Sequence, residues 1–82
     1  MKTFVAERYW PGVSITEAEA VMARETEAAE AMRVEGKSIR VIHSTLVQED
    51  ETVMSLVESE SERDVAELGR RAGVPIDRIM PA

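Results

Sequence analysis

The order of elements in this 82-residue chain predicts an α+β fold with one layer of helix on one sheet. Three observations point there. Two capped, helix-patterned segments are each flanked by strand-like runs. The two middle runs are joined by a turn too short for a helical crossover. Both alternating rows of the strands are apolar, so the sheet expects cover on both faces.

The first strand is read at residues 2–9, "KTFVAERY", which alternates and is rich in strand formers. Pro11 and Gly12 end it by removing a donor and allowing a turn. Thr16 and Glu19, three residues apart, form the capping box expected to open the first helix, with Ile15 and Ala20 as its hydrophobic staple. That helix runs from Glu17 to Val34 or Glu35, with Gly36 as its stop. Residues 38–48, "SIRVIHSTLVQ", read as the second strand, "EDE" at 49–51 as a polar turn, and 52–59, "TVMSLVES", as the third strand. Ser61 caps a second helix over 62–72, acids leading and Arg70 and Arg71 trailing, as the helix dipole prefers. A last short strand falls within 77–82 before or at Pro81. The sum is β-α-β-β-α-β, the ferredoxin-like split arrangement. It places both helices on one face of a four-stranded antiparallel sheet, in one domain spanning 1–82.

That arrangement leaves the second face bare. Within single strands, one apolar set is Phe4, Ala6, Ile42, Leu46, Met54 and Leu56. The other is Val5, Tyr9, Ile39, Val41, Val47, Val53 and Val57. A chain this short buries only ~60% of the surface its unfolded form exposes, and it has no cysteine to staple it. A second copy, sheet against sheet, is the simplest cover, so a homodimer is expected. The composition, 44% hydrophobic and 32% charged, is that of a folded domain. The formal net charge of −6 argues against nucleic acid and against acidic membrane surfaces as partners. With no apolar run long enough to span a bilayer and no signal-peptide pattern in "MKTFVAERYW", the expected location is cytoplasmic.

Polar residues among the valines mark the candidate site. Glu7, His43, Thr45 and Ser55 fall in the second row and would line a cavity between two sheets if that row is the open face. His43 is the only histidine, either a strand histidine bonded to a neighbour or a ligand or base. Glu25 is the other conflict. On a helical wheel Ala18, Val21, Met22, Ala28, Ala29 and Met32 make one stripe, and Glu25 lies at its centre, facing the sheet. A buried carboxylate needs a partner. His43 is the first candidate, with Arg40 and Arg8 behind it. That pairing requires the His43 row to face the helices, so it competes with the open-face cavity. If a metal is held, His43 and Glu25 are its ligands, although one histidine without cysteine is a poor set.

The stretches "VAERYWPG", "IRVIHSTLV", "TVMSLVESES" and "RRAGVPIDRIM" resemble a family of short bacterial ferredoxin-like proteins of unknown function, some of whose members are described as nickel-binding. The resemblance implies a dimeric ferredoxin-like protein with metal binding through histidines on the first strand and both helices. The comparable places here hold Glu7 or Arg8, Arg24 or Glu25, then Leu68 and Ala72. Nickel favours imidazole, so a divalent metal such as nickel is expected to bind weakly, and the cofactor is otherwise unknown. The expected function is a small homodimeric binding protein with a small ligand or metal ion in a cavity against the sheet. An enzyme of the dimeric α/β-barrel type, a small monooxygenase or isomerase using His43 and a carboxylate, is the second reading. A structural interaction module is the third.

Overall fold

The computed structural model describes all 82 residues. Its elements are β1 (Lys2–Tyr9), α1 (Ile15–Val34), β2 (Ile39–Val47), β3 (Thr52–Ser59), α2 (Glu62–Arg71) and β4 (Arg78–Pro81), with a single 3-10 turn at Gln48–Asp50. The sheet is antiparallel throughout, in the order β2-β3-β1-β4. This is the ferredoxin-like α+β fold that the element order predicts. No helix is long and apolar enough to cross a membrane.

Helix α1 begins two residues earlier than expected. Ser14, not Thr16, is the cap: its hydroxyl accepts from Glu17 N at 3.1 Å, and Glu17 Oε1 accepts from Ser14 N at 3.0 Å. Both Ser14-x-x-Glu17 and Thr16-x-x-Glu19 satisfy the capping pattern. The earlier one wins because the apolar residue before its cap is the one that reaches the core. Val13 is buried and clusters with Ala18, the fourth helical residue, whereas Ile15 is 58% exposed and staples nothing. Helix α2 follows its expected grammar, with Ser61 Oγ accepting from Asp64 N at 3.2 Å.

The helix-covered face holds the core. Phe4, Ala6, Ile39 and Val57 meet Ala28, Ala29 and Met32 of α1 and Val65 and Leu68 of α2. The two sets seen within single strands are therefore each split between the faces. Alternation inside a strand does not fix its phase against the next strand; cross-strand register does. Phe4 pairs with Val57 and Ala6 with Ser55, while Val5 pairs with Leu56 and Glu7 with Met54. Strand β2 adds a β-bulge. Val41 opposes Val57 and His43 opposes Leu56, so Ile42 is an extra residue. Before the bulge Ile39 and Val41 face the helices; after it Ser44 and Leu46 do. An unbroken alternation from Val41 would turn His43 inward. The extra residue turns it outward.

Two clasps close the ends. The turn residue Glu51 has φ +51° and binds the β1–α1 loop, its carbonyl accepting from Trp10 N and its carboxylate from Gly12 N, both at 2.6 Å. Arg71 holds Glu35 through two hydrogen bonds of 2.6–2.7 Å, tying the C-terminal ends of the helices together. Those bonds hold the exposed Glu35 carboxyl below the usual carboxylate range. Helix α2 lies close to the segment leading into β4 because Gly69 has no side chain. A Cβ there would fall 2.7 Å from Ile76 Cγ1 and 2.8 Å from Cδ1. Gly69→Ala is therefore expected to lower stability by about 1–3 kcal/mol through overpacking, offset by roughly 1 kcal/mol of helix propensity. Urea unfolding of Gly69→Ala with and without Ile76→Ala checks this. Adding Ile76→Ala should recover stability in the Gly69→Ala background and lose it in the native one.

Candidate functional site

Glu25 is fully buried, where its place in the apolar stripe of α1 puts it. Its main partner is Arg8, the last inward residue of β1, which is 1% exposed. Arg8 Nη2 lies 2.9 Å from Glu25 Oε2 as an ion-pair contact off the line of a hydrogen bond, and Arg8 Nη1 has no acceptor. Arg8 Nε donates to Val74 O at 2.9 Å in the loop between α2 and β4. Arg24, one turn-face away on α1, donates through Nε to Ala72 O at 2.7 Å, at the end of α2. The two arginines thus satisfy the carbonyl of Ala72, at the end of α2, and that of Val74, in the loop beyond it.

The other carboxylate oxygen faces two hydroxyls. Ser55 Oγ donates to Glu25 Oε1 at 2.8 Å, Ser44 Oγ lies 3.4 Å from the same oxygen, and the two serine oxygens are 2.8 Å apart. Ser44 and Ser55 are cross-strand neighbours on β2 and β3; the bulge at Ile42 brings Ser44 to the helix face, and the regular alternation of β3 brings Ser55. The cluster is Arg8, Glu25, Ser44 and Ser55, contributed by three strands and one helix. Burying two charges costs several kcal/mol per ion, which their attraction and these hydrogen bonds must offset.

His43 is not part of it. It is exposed on the opposite face of the sheet, in one cross-strand row with Leu56, Val5 and Met80. Thr45 and Glu7 lie in the neighbouring row with Met54 and Arg78. The expected Glu25–His43 pair is corrected: the bulge puts the sheet between them. The expected grouping of Ser55 with His43, Glu7 and Thr45 holds in part: Ser55 lines one open-face hollow with His43 and Thr45, but its Oγ points at Glu25 beneath α1. His43 and Glu25 cannot share a metal ion within one chain, nor can an enzymatic reading that pairs them stand. Arg8 and Ser44 carry roles the sequence reading missed or ranked low. The available signal was an arginine and a serine interrupting otherwise apolar inward rows.

The donor set does not fit a nickel centre within one chain. No three His, Asp or Glu side chains gather where they could hold a metal ion. Glu25 is already engaged by Arg8 and Ser55, and Leu68 and Ala72 are fully buried core residues.

The family description "Nickel responsive protein SCO4226-like" matches residues 4–81. The chain belongs to the SCO4226-like family. Among solved structures it is similar to SCO4226 from Streptomyces coelicolor A3(2), with a TM-score of 0.72 at 18% identity, covering 98% of this chain and 94% of that one. At that identity the likeness is one of fold. No curated protein matches the chain.

Removing either member of the buried pair leaves a charge without its partner, at about 3–5 kcal/mol. Glu25→Gln and Arg8→Met should each lose stability on that scale in urea unfolding. The double variant should lose clearly less than the sum. Glu25→Gln with His43→Gln should instead add within ~0.5 kcal/mol, as sites without shared partners do.

Proposed function

We propose that this family member works as a homodimeric binding protein. Two copies meet through the sheet faces that the helices leave bare, with His43, Glu7 and Thr45 lining the space between them. The observation that carries this reading is the open-face row His43–Leu56–Val5–Met80, apolar on three of four strands and without a helix above it. Apolar surface concentrated on one face of a small chain marks an interaction surface. A shallow hollow bounded by Val5, His43, Thr45, Met54, Ser55 and Leu56 lies on this face, and an opposing sheet would close it. His43 would then be the titratable group within reach of a small ligand, in a space walled by valine, leucine and methionine.

The family name speaks of a response to nickel. Any nickel site in this chain would draw its donors from two copies, His43 and Glu7 of each, since one chain lacks the set. A site built so sparsely binds weakly.

Light scattering at micromolar concentration should give about twice the 9.1 kDa of one chain. Leu56→Lys, which puts a charge at the centre of the open face, should give a folded monomer with native circular dichroism. A native chain that stays monomeric would refute the sheet-to-sheet assembly.

Calorimetric titration of metal-free protein with nickel should reveal no submicromolar site, and His43→Ala should leave that result unchanged. A tight stoichiometric site lost in His43→Ala would instead make this chain a nickel binder.

A further inference from the structure

A groove lies on the helix side of the sheet, at its β2 edge, apart from the open face. Ile15, Ala18 and Met22 of α1 form one wall; Leu46 and Val53 form the other. It encloses about 130 Å³, near the ~150 Å³ of an apolar cavity that takes benzene. Five of its eight lining residues are apolar, and Ser44, Thr45 and Glu19 are the polar ones.

The direction of the hydrogen bonds determines what Ser44 offers. Ser55 has one hydroxyl proton and gives it to Glu25 Oε1 at 2.8 Å. In the 2.8 Å contact between the serines, Ser44 must therefore be the donor. Its alternative acceptor, Glu25 Oε1 at 3.4 Å, also lies inward. Either way the Ser44 proton is committed to Ser55 or Glu25, and only lone pairs are left for a further partner. A hydroxyl that donates toward a carboxylate becomes a better acceptor at its own oxygen. Glu19 adds a second acceptor and a negative charge. The groove thus suits a donor and repels an anion.

We infer that this groove is a binding site for a small, benzene-sized apolar molecule carrying one hydrogen-bond donor, a hydroxyl or an amine, with the donor seated on Ser44 Oγ. The ligand would extend the chain of hydroxyls that ends on the Glu25–Arg8 pair. The site is complete within one chain; Thr45, at the β2 edge, is the one residue it shares with the open-face hollow.

The test uses the isotope-labelled full chain titrated with phenol, with toluene as the same shape lacking the donor, and with benzoate as the anion. Amide and methyl shifts should saturate with phenol at millimolar concentrations and centre on Ala18, Met22, Ser44 and Val53. Toluene should bind about five- to tenfold more weakly, the factor one hydrogen bond contributes, and benzoate should give no saturable shift there. In Ser44→Ala the preference for phenol over toluene should vanish. Should Ser44→Ala not fold, Met22→Trp, which fills the groove from a half-exposed position, must abolish the phenol shifts in an otherwise native spectrum. The inference is overturned if phenol gives no saturable shifts in the groove, if toluene binds as well as phenol, if folded Ser44→Ala keeps the preference, or if Met22→Trp leaves the shifts intact.

Discussion

Arg8 and Glu25 sit out of water between β1 and α1, 2.9 Å apart, and neither can be buried without the other. Much of the local structure follows from accommodating them. The guanidinium reaches the α2–β4 loop at Val74 O, so one charge from β1 fixes a helix on one side and a loop on the other. The carboxylate's second oxygen is satisfied by Ser55, and Ser44 stands behind it. An all-apolar substitute of the same volume would cost less desolvation. The pair instead specifies one docking of α1 on the sheet, since a helix rolled or slid by one residue would leave both charges unpaired.

The bulge at Ile42 is the second determinant. It serves the buried pair by delivering Ser44 to the helix face, and by the same step it delivers His43 to the open one. One inserted residue therefore separates the two features that look most chemical in the sequence. A single slip of phase along a strand exchanges its faces, and here it divides a closed electrostatic cluster from an open surface with the lone histidine on it.

The element order was legible because its signals are local: a cap at Ser61, a stop at Gly36, a short link between β2 and β3. The burial of Glu25 was legible for the same reason, as a helical period needs no partner strand to be read. What was hidden is non-local. Neither the phase of β1 against β3 nor the bulge in β2 leaves a mark in a run such as "IRVIHSTLV", where Val41, Ile42 and His43 offer equally good strand residues in either phase. The cap at Ser14 was obscured by a second, equally valid pattern two residues on, and was decided by the burial of Val13. Arg8 was a candidate partner only because the sequence holds few cations near the right height; its choice over His43 depended on the sheet.

Membership of the SCO4226-like family and the ferredoxin-like fold set the frame, while this chain's own residues set the chemistry within it. Where the resemblance implies histidines, it has Glu7 or Arg8, Arg24 or Glu25, and the core residues Leu68 and Ala72. The docking of α1 therefore depends on the Arg8–Glu25 pair being formed and closed to solvent. Exchange of the arginine Nε protons with water, followed by NMR at neutral pH, reads this directly. The Arg8 proton, donated to Val74 O, should exchange orders of magnitude more slowly than that of exposed Arg63, and Glu25→Gln should speed it markedly. An Arg8 proton that exchanges as fast as that of Arg63 would contradict the buried pair and the docking of α1 built on it.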